Sequence, residues 1–527
     1  MSNLGQCIVL VLLLLLPVVS AELKAYVELI NGTPYDWELI SNDAHHMKWS
    51  PNATIPSGTS SESCISWAKI RRDANAQATY RIKNPSSNES FTIRALDHPI
   101  TRIEILYHEN LSSLNNPEHS VIHLDHLNNH AHPFILAGNG IETPYISTNP
   151  PVAWMQSTYS VLSTKPLREI SMPMSHDAGA SIVTHSLNGP GTLHNTQTQS
   201  ESIYRQLIFG ARWLDIRPAF YKGKWMTYHG SFAVGSMWGA TGQSIESVVE
   251  EVNRFTSENP GEMIVLDISH DANPKRRWKG FDEGDWEVFY RVLSGVRDGW
   301  VDPGGLGWDL SAAPFGGFVG KGGRSEVLVR VPCTAPSSLV SGLGKRDTEN
   351  TTLSTSSHGC DSVTSDDDLT PLNITEPLLF SQRDGDDTRN ASDLPKSYIS
   401  PLSHRSLPLS FTPIHDSRLP TTGKFSDTSS SNSLISSQLS SLSLHKSQNS
   451  AIHKLSWILT QPISVQANIG NWWTSILGYA VVAHRALYAS FGDLVGGGVA
   501  GKPNLIEVDY IRSSDVAAFA MGLNAWE

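Results

Sequence analysis

Four cysteines in 527 residues are too few for a disulfide scaffold. Positive charge is also short: 39 Lys and Arg face 51 Asp and Glu, a formal net charge of −12, and no basic block interrupts the deficit. A surface of that sign excludes nucleic acid as a general partner, because a polyanion is held by clustered cations. Beyond the first twenty or so residues no apolar run is long enough to span a bilayer.

What is present begins with MSNLGQCIVLVLLLLLPVVSA. An apolar run from Ile8 to Val19 leads into the small residues Ser20 and Ala21, so residues 1–21 read as a signal peptide and the mature chain starts at Glu22. No Lys or Arg precedes the run, which leaves a retained anchor as the alternative. Export fits the seven Asn-X-Ser/Thr sequons at Asn31, Asn52, Asn88, Asn110, Asn350, Asn373 and Asn390. The expectation is a secreted or cell-surface glycoprotein. Cys7 leaves with the leader, so Cys64, Cys333 and Cys360 permit at most one internal disulfide, and Cys333 and Cys360 are the nearer pair.

Residues 22–136 carry short extended pieces, among them AYVELI, SCISWAKI, ATYRI, SFTIRAL and RIEILYH, separated by Asn, Gly, Pro and Ser clusters. That texture predicts a small all-β sandwich, with Trp37, Trp49 and Trp67 in its core. His119, His123, His126, His130 and His132 crowd its end, and without Cys, Asp or Glu at zinc-motif spacing they read as polar surface. Residues 137–153 are taken as a linker.

From Trp154 the texture changes to strands alternating with helical stretches, the sign of parallel strands joined by crossover helices. In QSIESVVEEVNRFTSENPG, residues Ile245, Val248, Val249, Val252 and Phe255 share one face, and Pro260-Gly261 ends the helix. Between about 342 and 450 the periodicity gives way to Ser, Thr, Asp and Pro, so this piece reads as a disordered insertion, with a dibasic pair at Lys345-Arg346. The fold class expected is α/β: a distorted (β/α)8 barrel over 154–527, interrupted by that insertion and preceded by the sandwich.

Three short stretches of the barrel carry chemistry. His176-Asp177 lies in SMPMSHDAGAS, Asp215-Ile216-Arg217 ends a strand signal, and His229 follows in YHG. Residues at the carboxyl ends of parallel strands gather at one face of a barrel. Three successive strand ends would then supply two imidazoles, carboxylates to orient them and a permanent cation. Phosphoryl transfer needs this set: a base for a hydroxyl, an acid for the leaving oxygen, and a cation for the nonbridging oxygens.

In order and spacing, PLREISMPMSHDAGA, QLIFGARWLDIR and YHG resemble the X-region of phosphatidylinositol-specific phospholipase C, especially its secreted, metal-independent type. GEMIVLDISH, EVLVRVP, KLSWILTQ and PNLIEVDYI resemble the remaining barrel strands of fungal phospholipase C-like phosphodiesterases. The resemblance implies a general base at His176, a general acid at His229, and Arg217 against the phosphate. It implies Asp177 and Asp215 as carboxylates that orient Arg217 and His229, and Asp509 as the group that fixes the tautomer of His176. The head group would meet Asp267, His270 and Arg330.

In the calcium-dependent relatives carboxylates stand on both sides of the residue between Asp215 and Arg217. Here a guanidinium occupies a ligand's place, so neither a catalytic metal nor another cofactor is expected. The expected activity is cleavage of phosphatidylinositol-type lipids at a membrane surface, by a monomer, through an inositol 1,2-cyclic phosphate. Trp472-Trp473 could dip into that surface, although packing beside SILGYAVV is the simpler reading. The alternatives are a phosphodiesterase of the same fold acting on a glycosyl-phosphatidylinositol anchor or a glycerophosphodiester, and a noncatalytic lipid- or glycan-binding surface protein.

Overall fold

The computed structural model describes residues 22–68, 73–97, 102–124, 131–141, 144–187, 191–233, 236–336, 409–448, 451–462, 475–495 and 502–526. The leader, Lys345-Arg346, Cys360 and Trp472-Trp473 lie outside these residues.

Two β-sheets pack face to face at the amino-terminal end. One has six antiparallel strands, including Trp37–His45 and Asn75–Ile82, and the other has five, built on Glu22–Gly32. Trp37, Tyr80, Phe91 and Phe134 fill the space between them. Alternation accounts for this layer: in Asn75–Ile82 every second residue from Ala76 on is buried, as a two-residue period requires. The five-stranded sheet is covered on its other face too, where Ile30 and Ile135 join a core shared with the barrel helices. The stretch 137–153 is therefore more than a linker, since Ile146–Ser147 forms a strand antiparallel to Leu136 and Ala137.

Eight parallel strands follow: β1 Met172–Ser175, β2 Trp213–Ile216, β3 Met263–Ile268, β4 Glu326–Val331, β5 Ile414–His415, β6 Thr421–Thr422, β7 Ile452–Ser456 and β8 Leu505–Val508. Neighbours pair in chain order, and β8 closes onto β1. Among the described residues no ladder joins β5 to β6, so the barrel has a seam. Along each strand one set of side chains meets the helices (Leu214, Leu266, Val329, Ile506), while the other set (Met174, Trp213, Val265, Leu328, Leu505) fills the interior.

Helix α1 Ile245–Glu258 buries the expected stripe, and the Ser244 hydroxyl caps it by accepting the amide of Ser247. Helix α2 Glu283–Leu293 packs beside it. Helix α3 Ser431–Gln448 corrects the reading of 342–450 as one structureless insertion: residues 409–448 carry β5, β6 and this helix. Its Leu434, Gln438 and Leu442 are buried at four-residue spacing, and the Gln438 amide donates to the Lys424 carbonyl while its oxygen accepts the amide of Ser456 at the end of β7. Serine composition concealed that period. Helices α4 Ile476–Ala489 and α5 Val516–Ala525 complete the shell and carry the sandwich.

Candidate active site

His176 and Asp177 leave the end of β1, and Asp177 takes a left-handed backbone (φ 39°) that turns the chain sharply. The His176 Nδ1–H donates to Asp509 Oδ1 at 2.8 Å, just beyond β8. That bond fixes the tautomer and leaves Nε2 as the basic nitrogen. Burial opposes charge on the ring, yet the Asp509 carboxylate outweighs it and the pKa is raised. Gln199 clamps the two loops by donating to the carbonyls of His176 and Val508, 3.0 Å each.

Arg217 follows β2. Its Nε donates to Asp215 Oδ2 at 2.9 Å, its Nη2 lies 2.8 Å from the same oxygen, and its Nη1 stands 3.6 Å from Asp177. Asp215 also accepts the Asp177 amide at 3.0 Å and the Ser269 hydroxyl. Burial would raise the Asp215 pKa, but the guanidinium holds it far below the ordinary carboxylate range. Asp177 behaves differently. Its carboxyl oxygens have no hydrogen-bond partner among the described residues, and burial pushes it up to about 7 against the pull of Arg217.

His229 is not at a barrel strand end, which corrects the expectation of three successive ends. It sits on the antiparallel strand Lys224–Ala233, in a four-stranded sheet; three of its strands lie between β2 and α1, and the fourth, His185–Ser186, comes from the stretch between β1 and β2. The part after β2 starts with a hairpin in which Tyr221 pairs with Lys224 across Lys222 (φ 49°) and Gly223 (φ 81°), both left-handed as a tight hairpin turn demands. Close backbone approach seats the sheet. A Cβ on Gly239 would lie 2.1 Å from the His229 carbonyl oxygen, and one on Gly179 would lie 2.2 Å from the Thr227 side chain. The Thr227 hydroxyl in turn donates to the Gly179 carbonyl at 3.0 Å.

Through this detour His229 comes back to the mouth. Its ring centroid is 6.2 Å from that of His176, with the planes at 81°. Its Nδ1–H donates to the Thr196 carbonyl at 2.9 Å, so Nε2 is the nitrogen left for chemistry. Burial, then Arg217 and His176, push its pKa down to about 3. One gap thus has one imidazole on one side, a second imidazole on the other and a guanidinium acting on both.

The three positions expected to meet a head group divide. Asp267 and Arg330 pair across β3 and β4 at 2.6 Å, and Asp267 also accepts the indole N–H of Trp213 at 2.8 Å. Arg330 donates further to the Leu419 carbonyl and to the Thr421 hydroxyl, which bridges the seam. His270 lies exposed at the mouth, its Nδ1 3.0 Å from the Ser269 hydroxyl oxygen. Sequence reasoning missed Glu507, which is buried inside the barrel, 3.5 Å from Lys454 and bonded to the Ser456 hydroxyl at 2.6 Å. Strand alternation would have found it, because Leu505, Glu507 and Asp509 share one side of β8 and its extension. Thr196 acts through a main-chain carbonyl, which no side-chain pattern announces.

In class, then, the molecule is a parallel β/α barrel, open at one seam, with a histidine-pair and arginine site at its mouth. Over short stretches the chain is similar to curated proteins described as PI-PLC X-box or X domain-containing and to a 1-phosphatidylinositol phosphodiesterase. A PI-PLC X-box domain-containing protein of Dictyostelium discoideum is 29% identical over 128 residues, 22% of this chain and 16% of the relative. The 1-phosphatidylinositol phosphodiesterase of Listeria monocytogenes is 32% identical over 124 residues, 23% of this chain and 33% of the relative. The matched stretch thus spans a third or less of each relative's length. No family model matches the chain. Among solved structures, a mutant of the phosphatidylinositol-specific phospholipase C of Staphylococcus aureus aligns over 72% of this chain and 99% of its own, at 13% identity and a TM-score of 0.41. The Listeria monocytogenes enzyme aligns over 68% and 95%, at 14% identity and a TM-score of 0.38.

Proposed function

We propose that the chain is a metal-independent phosphodiesterase that cleaves phosphatidylinositol-type lipids at a membrane surface. The observation that carries this reading is the 6.2 Å separation of the His176 and His229 rings, with Arg217 electrostatically coupled to both. A tetrahedral phosphorus with its attacking and leaving oxygens in line needs a base and an acid on opposite sides and a cation beside the equatorial oxygens.

In this mechanism His176 Nε2 takes the proton from the inositol 2-hydroxyl, and that oxygen attacks phosphorus. Asp509 stabilises the imidazolium that forms. Arg217, locked by Asp215, neutralises charge on the nonbridging oxygens. The diacylglycerol oxygen departs with a proton from His229, leaving a 1,2-cyclic phosphate. By its protein surroundings alone His229 is neutral at physiological pH, since burial and the nearby cations disfavour its charged form. A phosphodiester anion in the gap favours the charged form, so substrate binding raises the His229 pKa toward what a general acid needs.

The decisive experiment incubates the protein with phosphatidylinositol vesicles in excess chelator and follows release of cyclic inositol phosphate, then repeats it with His176→Ala and His229→Ala. Activity that requires a divalent ion, or that survives both substitutions, refutes the mechanism. A second reading, a different head group on the same phosphodiester chemistry, is favoured by one observation: Asp267 and Arg330 bond each other, with Asp267 also held by Trp213 and Arg330 by the Leu419 carbonyl. A panel of lipid and glycerophosphodiester substrates separates the two. Export of the protein is part of this proposal and rests on the leader and the sequons. Asn52, Asn88 and Asn110 are exposed, whereas Asn31 is buried with its amide donating to the carbonyls of Tyr35 and Ile55, so the folded chain offers no acceptor there.

A further inference from the structure

The outer, six-stranded sheet of the sandwich carries a group that the barrel chemistry does not use. Strand Trp37–His45 ends in His45, and His46 follows it directly. Consecutive side chains on a strand point to opposite faces, so two adjacent histidines should not meet. Here they do. His46 takes a left-handed backbone (φ 56°), which swings its ring back until the two imidazole centroids are 4.0 Å apart. Both rings aim Nε2 at one oxygen of Asp73: His45 at 3.3 Å and His46 at 3.6 Å.

Those lengths are long for hydrogen bonds, which favour roughly 2.7–3.2 Å, and a single oxygen gains little from two competing donors. They match something else. A zinc ion with bonds of about 2.0–2.1 Å in a tetrahedron sets its ligand atoms about 3.3–3.4 Å apart. All three candidate ligand atoms lie within 4.8 Å of one another, so a small rotation of one ring completes a triangular face. The backbone holds the third ligand in place: Asn75 lies opposite His45 in the ladder, and its side-chain amide donates to the Asp73 carbonyl at 3.0 Å.

We propose that His45, His46 and Asp73 form a three-ligand site for a divalent transition ion of the zinc class, with solvent at the fourth position. Two neutral imidazoles and one carboxylate suit such an ion, whereas calcium and magnesium require more oxygen ligands. The bound ion ties the end of one strand to the turn that begins the next, so it stabilises the sandwich by mass action. It lies on the layer remote from the barrel, and catalysis does not pass through it.

The test titrates Zn²⁺ into the full-length, chelator-stripped protein by calorimetry, alongside His45→Ala, His46→Ala and Asp73→Asn. The expected result is one saturable equivalent at micromolar or tighter affinity. It should weaken by roughly tenfold or more in each variant, since each removes one of only three ligands. Circular dichroism checks that the variants are folded, and Ca²⁺ in place of Zn²⁺ should give no such step. Absence of saturable Zn²⁺ binding, or binding that survives any of the three substitutions undiminished, overturns the site. Lipid hydrolysis is measured in the same variants and stays at the unsubstituted level, so failure of the zinc site and failure of the barrel chemistry give different results.

Discussion

At the scale of single residues, two imidazoles of the same type are shifted in opposite directions by their surroundings. Asp509 raises the His176 pKa, while burial and Arg217 lower that of His229. Replacing either ring by Ala should cut kcat/KM by about 10²–10⁴-fold, the usual worth of an acid or base in the transition state. The pH profile gives a finer test. Activity of a general base is lost as pH falls through its pKa, so Asp509→Asn, which removes the group that raises the His176 value, should move the acidic limb to lower pH as well as lowering the maximum. An acidic limb unmoved in that variant would mean that another group sets it, and Asp177, pushed up to about 7, is the candidate. Five of the six proposed catalytic side chains were legible as types in three short stretches, and Asp509 as a strand end. Their bonds were not, because Thr196, Gln199 and Ser269 reach the site through contacts that depend on folding.

At the scale of elements, the inserted antiparallel sheet is what brings His229 into range. Its place depends on glycines at which two backbones nearly touch. Gly239→Ala should therefore reduce turnover by more than about tenfold while circular dichroism stays native, because the added methyl must push the His229 strand away. The seam depends on Arg330. Arg330→Met strips Asp267 of its cation and unpins Leu419 and Thr421, and should lower unfolding stability by about 3–5 kcal/mol, read from urea denaturation. Sequence periodicity located α1 to its apolar stripe, because Val and Phe at three- and four-residue spacing stand out against Glu and Asn. The same period in α3 is masked. There Leu434, Ile435, Leu439 and Leu442 are diluted by serines, and composition outweighs spacing. The hairpin sheet is hidden for a different reason: its strands pair with one another, and a chain read for parallel alternation assigns them to the barrel.

At the scale of the whole molecule, the five-stranded sheet is buried on both faces, by the outer sheet on one side and by α4, α5 and Phe491 on the other. Sandwich and barrel therefore share a core and should melt as one unit. Scanning calorimetry of the full chain should give a single transition, and a chain beginning at Trp154 should come out insoluble, with the apolar side of α5 left bare. Two well-separated transitions would show that the shared core contributes little. The sequence marked two textures and so two regions, but the apolar strand Ala131–Ala137 already hinted at more, since all seven of its residues are buried. The barrel wall itself is a hoop fastened by a clasp. Continuous ladders run from β1 through to β5, from β6 through β7 to β8, and from β8 back to β1, while the short turn 416–420 and the Arg330 guanidinium span the remaining gap. Releasing the Arg330 bonds and flexing that turn would widen the ring at this one point, with every ladder left intact.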